Sequence, residues 1–288
     1  MNNRPTLQHT VKYCQTGSFT TRYLDVGDPV AETVILLHDG AWGGSSEVSW
    51  SACLPTLAER YHVIAPDFVG FGGSDKVTYF DRSPYEPRIR QVENLVDQLR
   101  ITGPTHVVGT SFGGSVALRL LAENTLATRS VTSIGGSGGP WKTAVMKQEL
   151  SRWDGSRTDL ARILRFLMDE GAGFESQLEA RMESACVPGH YRAIASAALP
   201  LPAVLRQPDS DSWPEALRGN PVPVLLVAGE NDALFAADWP ERIAERLPRA
   251  SVRRIASLHS PNLDRANELT RILIDHFDGS DPTNPRAK

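Results

Sequence analysis

The sequence predicts an α/β fold: a mostly parallel, twisted sheet with helices on both faces and a helical cap inserted late in the chain. Two observations carry this. Short, almost wholly apolar runs recur at 33–38 (TVILLH), 62–66 (HVIAP), 106–110 (HVVGT) and 223–228 (PVLLVA), and an unbroken apolar run is the mark of a strand buried on both faces. Segments of helical periodicity separate them, and strands alternating with helices build βαβ units.

Taken in order, residues 20–26 read as an early strand, followed by the strands at 33–38, 62–66 and 106–110. Further strands fall at 130–134 (SVTSI), 223–228 and 251–255 (SVRRI). Helices are expected at 50–60, 87–100, 112–123, 240–247 and 263–277. Between about 140 and 213 the alternation stops, and 160–168, 175–186 and 191–204 read as helices without strands. Both ends of this stretch plug into the same sheet pattern. It is therefore expected to be a cap (140–213) inserted after the core strand at 130–134, in a core made of 1–139 and 214–288. The tail from 278 to 288 (DGSDPTNPRAK) is polar, carries two prolines and is expected to be disordered.

Composition narrows the function. A 288-residue chain with 41% hydrophobic residues can build one large α/β domain with an insertion. Acidic residues outnumber basic ones, 34 to 30, with no basic stripe; nucleic acid and anionic membranes are unexpected partners. Cys14, Cys53 and Cys186 are odd in number and widely spaced, which argues against a disulfide framework or zinc site and for a reducing compartment. Residues 1–10 lack the apolar stretch of a secretion signal, and no apolar run approaches the roughly 20 residues of a membrane span. A soluble cytoplasmic protein is expected. No HExxH or clustered ligand motif and no dinucleotide fingerprint is present, so neither metal nor cofactor is expected.

The chemistry concentrates at strand ends. Gly109-Thr110-Ser111-Phe112-Gly113 is a G-x-S-x-G motif between a predicted buried strand and a predicted helix. That is the setting of a nucleophile elbow, with Ser111 projected at a helix N-terminus. A serine hydroxyl needs a base. Of seven histidines, His259 alone lies in a loop following the last strand and preceding the last helix. The orienting acid is expected at another strand end, where Asp232 follows PVLLVA, with Glu230 as its local rival. His38-Asp39-Gly40-Ala41-Trp42-Gly43-Gly44 follows the TVILL strand and can supply one backbone donor for an oxyanion, from Ala41 or Gly40, beside that of Phe112. His38 is expected to shape this loop. Asp39, an acid beside an oxyanion hole, is expected to point away or pair with a cation.

Together these features resemble the α/β-hydrolase superfamily, in which the order Ser, Asp, His is usual. More narrowly the chain resembles the meta-cleavage product hydrolases, which cleave a C–C bond in vinylogous diketone acids. HDGAWGG loosely matches their H-G-x-G-P-G loop, Trp50 follows the loop histidine at the family spacing, and residues 65–75 (APDFVGFGGSD) match APD-x-x-GFG-x-SD. LEARMESACVPG resembles the family segment bearing a carboxylate-binding arginine, which makes Arg181 the candidate; a solvated cap-helix charge is the alternative. Trp42, Ser49, Thr110 and Ser260 fall at substrate-contacting positions of the family but differ from its usual residues. The resemblance thus implies a small-molecule substrate cleaved at a C–C bond. Esterase or lactonase activity, a non-catalytic receptor and an acyltransferase remain as alternatives, and a homodimer stays open.

Overall fold

The computed structural model describes residues 10–80, 82–196, 199 and 212–280. Eight strands form one sheet in the order β1-β2-β4-β3-β5-β6-β7-β8. They are β1 (Thr10–Thr16), β2 (Phe19–Val26), β3 (Thr33–Leu37), β4 (His62–Pro66), β5 (Thr105–Thr110), β6 (Thr128–Ile134), β7 (Val224–Gly229) and β8 (Ala250–Ile255). Strands β1 and β2 are antiparallel to their neighbours; β3 to β8 are parallel.

The apolar runs are strands because alternate residues feed two separate cores. Ile35, Leu37 and Val107 pack on one face with Ile89 and Val92 of α3 (Glu86–Gln98) and Val116 and Leu120 of α4 (Phe112–Glu123). Val34, Leu36 and Val108 pack on the other face with Trp50 of α1 (Ser46–Trp50), Leu54 and Leu57 of α2 (Leu54–Ala58), and Leu269, Leu273 and Phe277 of the last helix. A period-2 backbone buried on both sides needs an apolar residue at every position.

After β6, four helices replace the strand–helix alternation: α5 (Ala144–Glu149), α6 (Arg157–Leu164), α7 (Phe174–Ala185) and α8 (His190–Ser196). No strand lies between β6 and β7 among the described residues. Much of the predicted 191–204 helix falls outside the described residues. The chain then returns through β7, α9 (Trp239–Ala244), β8, α10 (Pro261–Asp264) and α11 (Ala266–Ser280). No helix among the described residues is long and apolar enough to cross a membrane.

Several expectations need correction. Strand β1 was not foreseen: it is a largely exposed edge strand, and its register comes wholly from pairing with β2. Helix α5 was not foreseen either, since it buries no residue and gives no apolar stripe. The single helix expected at 50–60 is two short helices that begin at Ser46. The expected disordered tail began too early. Helix α11 continues to Ser280, whose hydroxyl donates to the His276 carbonyl (2.7 Å), and Asp278 pairs with Arg60 at 2.8 Å. Residues 281–288 lie outside the described residues.

One buried and one partly buried imidazole, His190 and His276, give the fold a pH signature. Burial pushes both His276 and His190 down to about 4. In the unfolded chain both titrate near 6.5. Between those values the unfolded state binds more protons, so their contribution to stability is complete above about 6.5 and falls as the pH drops toward 4. Thermal unfolding followed by circular dichroism should show Tm falling steadily between pH 6.5 and 4.5, and His276→Gln should flatten that slope. A Tm independent of pH across this window would contradict the assignment.

Candidate active site

The parallel strands end together at one edge, and their following loops carry the candidate catalytic side chains. Ser111 follows β5 at the middle of the sheet, the His38–Gly44 loop follows the adjacent β3, Asp232 follows β7, and His259 follows β8. At Ser111 the backbone turns abruptly, with φ 55° and ψ −114°. Its N–H is tied to the Ile134 carbonyl at 2.6 Å. Gly109 is required because a Cβ there would run into the Gly113 carbonyl across the turn. Only a hydrogen lets β5 and α4 come so close.

The structure brings Ser111, His259 and Asp232 together. His259 Nε2 lies 2.8 Å from Ser111 Oγ, and His259 Nδ1 lies 2.8 Å from Asp232 Oδ2. Since a carboxylate only accepts, Nδ1 carries the proton and Nε2 is left to accept from the seryl hydroxyl. Asp232 Oδ1 accepts from the Leu234 N–H at 2.8 Å, which fixes the carboxylate plane. The Phe235 ring stacks on His259, with centroids 5.7 Å apart and an interplanar angle of 13°. His259 is fully buried, and Ser111 is 8% exposed. Glu230, the rival acid, is exposed; among the described residues only its N–H is engaged, by the Ile255 carbonyl.

Around the candidate oxyanion position, Gly40 lies against the residue after the nucleophile: a Cβ on Gly40 would sit 2.8 Å from Phe112 Cβ. The Gly40 and Phe112 amides have no hydrogen-bond partner among the described residues. The Ala41 amide does not join them. It donates to Asp39 Oδ1 at 2.9 Å, so of the two loop donors weighed from the sequence, Gly40 is the one left for an oxyanion. His38 shapes the loop: Nδ1 donates to the Asp39 carbonyl (2.6 Å) and Nε2 accepts from the Phe68 N–H (2.8 Å). Burial holds His38 below its ordinary pKa, consistent with this neutral, fully engaged ring.

Arg181 is neither solvated nor open. It sits on the buried face of α7 with Phe174, Leu178 and Ala185 and is 1% exposed. Its guanidinium grips Asp39 through both carboxylate oxygens, at 2.7 and 3.2 Å. Ser49 Oγ adds a 2.8 Å donation to Asp39 Oδ2. Burial alone would raise the Asp39 pKa, but the Arg181 charge and these hydrogen bonds outweigh it and hold the carboxyl at about 2.

The other substrate-contact candidates are interior. Thr110 donates to Asn262 Oδ1 (2.9 Å), and Asn262 Nδ2 donates to the Ser49 carbonyl (2.8 Å). Ser260 is buried; its N–H bonds the Leu167 carbonyl at 2.8 Å, and its hydroxyl has no partner among the described residues. Trp42 turns into the cap, donating to the Leu150 carbonyl (3.2 Å) with its ring beside Trp153 and Tyr191. Sequence reasoning missed three participants. Asn262 was within reach, in the same strand-to-helix connection as His259. Phe235 lies shortly after Asp232. His190 accepts from the Gly43 N–H at 3.1 Å, a contact between cap and loop that no local pattern announces. Cys53 is no rival nucleophile, since burial pushes its thiol up to about 12.

Fold and site together define a hydrolase-type α/β scaffold, with a serine, a histidine and an acid converging at one sheet edge. The chain belongs to the alpha/beta hydrolase family, a model of which matches residues 34–272. It is similar to the 2-hydroxy-6-oxo-6-(2'-aminophenyl)hexa-2,4-dienoic acid hydrolase of Metapseudomonas resinovorans, at 26% identity over 79% of this chain and 76% of the relative. It is similar to the 2-hydroxymuconate semialdehyde hydrolase of Pseudomonas sp. CF600, at 24% identity over 76% and 77%. Among solved structures it is similar to the 2-hydroxy-6-oxo-6-phenylhexa-2,4-dienoate hydrolase of Rhodococcus sp. RHA1. There the TM-score is 0.80 and the identity 26%, over 94% of this chain and 99% of that one.

The geometry makes two demands that mutagenesis can check. Asp232→Asn presents the wrong partner to His259 Nδ1 and should lower kcat by about 10⁴-fold without loss of folding. Glu230→Gln should stay within about twofold of the parent. Steady-state kinetics of the two variants, each checked by circular dichroism, tests this; the reverse ranking would move the acid to Glu230.

Proposed function

We propose that the protein is a serine hydrolase that cleaves a bond next to a carbonyl in a small organic substrate. The paired 2.8 Å contacts of His259, to Ser111 on one side and Asp232 on the other, carry the reading. In this mechanism His259 Nε2 takes the Ser111 proton as Oγ attacks the carbonyl carbon. The oxyanion rests on the N–H groups of Phe112 and Gly40 at the N-terminus of α4, where the helix dipole favours negative charge. Asp232 stabilises the imidazolium. His259 then gives the proton to the leaving group, and water, activated by the same imidazole, releases the acyl group from Ser111. The cap keeps bulk water from the acyl-enzyme.

Two bond types are supported by different observations. Cleavage of a C–C bond beside a ketone is supported by the relatives, whose names describe hydrolases of oxo-dienoic compounds. In such a substrate an enol-to-keto shift would precede attack by the same serine. Cleavage of a carboxylic ester or lactone is supported by the Arg181–Asp39 pair, because the cation that a dienoate carboxylate would seek already holds an internal acid.

Purified protein assayed in parallel on ring-fission dienoates, p-nitrophenyl esters and lactones decides the bond type. A fluorophosphonate probe should label the parent, and Ser111→Ala should abolish labelling and lower turnover by about 10⁴-fold or more. Saturable ligand binding with no product and no labelling would instead mark a receptor. Transfer of the acyl group to added alcohol or thiol would mark an acyltransferase.

A further inference from the structure

Arg181 and Asp39 approach each other from different parts of the molecule, the first from cap helix α7 and the second from the loop that also carries Gly40. Both side chains are 1% exposed. The Asp39 carboxylate receives two guanidinium contacts (2.7 and 3.2 Å), the Ser49 hydroxyl (2.8 Å) and the Ala41 amide (2.9 Å). A planar cation, a hydroxyl and a backbone N–H converging on one carboxylate make a complete carboxylate-recognition pocket. Its occupant is covalently part of the chain, immediately before Gly40, which packs against Phe112.

We propose that Asp39 is a built-in substitute for a substrate carboxylate, so that this hydrolase selects uncharged carbonyl substrates and turns acidic ones away. This deepens the serine-hydrolase reading and rests on it. An acidic substrate could reach Arg181 only by displacing a tethered competitor whose effective concentration is very high. Displacement would also leave a buried, unpaired Asp39 carboxylate next to a second negative charge, and such a juxtaposition is a strong specificity device. The pair has a second effect on the same site. Arg181 neutralises an acid that would otherwise repel the negative charge developing at Gly40 and Phe112, so Asp39 can fill the pocket without opposing the reaction.

Removing the carboxylate tests this. Asp39→Gly vacates the space and leaves Arg181; Asp39→Gly/Arg181→Met removes both charges. Two readouts apply: kcat/KM for p-nitrophenyl butyrate against mono-p-nitrophenyl glutarate, and Tm in sodium acetate against sodium chloride at equal ionic strength. The parent should prefer the butyrate by about tenfold or more and show no acetate-specific rise in Tm. Asp39→Gly should shift that preference about tenfold or more toward the glutarate and gain a saturable rise in Tm with acetate. The double variant should return to the parent's preference and ignore acetate. A parent that favours the glutarate, or is stabilised by acetate until Arg181 is removed, overturns the proposal. So does an Asp39→Gly variant that folds and gains neither property. Where Asp39→Gly does not fold, the parent and the double variant decide: equal charge preference sustains the proposal, and an acidic preference lost in the double variant overturns it. If neither ester is turned over and no fluorophosphonate label appears, it is the hydrolase reading that fails. The acetate measurements still show whether Asp39 occupies the carboxylate pocket.

Discussion

The Ser111 backbone stands at φ 55° and ψ −114°, a conformation that costs an L-residue free energy and persists only where its surroundings over-determine it. They do so here. The preceding strand β5 lies between β3 and β6, the Ser111 N–H is held by the Ile134 carbonyl, and α4 begins at once. Because the sheet fixes the turn, the hydroxyl has one direction in which to project, and each neighbouring loop can be placed relative to it. The loop after β3 brings Gly40 against Phe112, the loop after β8 brings His259, and the loop after β7 brings Asp232.

Two carboxylates near this turn hold quite different positions. Asp232 faces one imidazole and one backbone amide, an arrangement that orients a ring and can answer a positive charge when one forms. Asp39 faces a permanent cation, a hydroxyl and an amide, and it is ionised and fully satisfied at rest. The first environment suits a group that responds during a reaction; the second suits a group that sets shape. Through Asp39, the cap and the loop bearing Gly40 are joined by a bidentate contact with fixed geometry. His190, which accepts the Gly43 N–H, makes a second such link from the cap. The position of the candidate oxyanion donors therefore depends on the cap as well as on the sheet.

The sheet was legible because its strands are buried on both faces, which leaves unbroken apolar runs such as TVILL and VLLVAG. The elbow was legible because close approach at Gly109 demands glycine and leaves a short motif. His259 and Asp232 were legible because a parallel sheet sends all its strand ends to one edge, so chain order alone nominates them. Strand β1 and helix α5 left no signal, as neither buries an apolar face. The state of Arg181 could be read only halfway. Its spacing from Phe174, Leu178 and Ala185 puts it on the apolar face of α7, but nothing local names its partner.

What the sequence by itself determined are the properties written in local pattern and chain order: strand identity, the serine turn, and the succession of Ser111, Asp232 and His259 at the ends of β5, β7 and β8. What only the tertiary structure decided is which charges meet. Asp39 and Arg181 lie in separate loop and cap segments, and an ion pair leaves no periodicity and no motif in either of them. The same holds for the Ala41 amide, which its place in the loop offered to an oxyanion, and which the Asp39 carboxylate takes instead. Hydrophobic patterning is local and repeats along the chain; pairing of buried polar groups is a single event in space, settled only where distant segments meet in the fold.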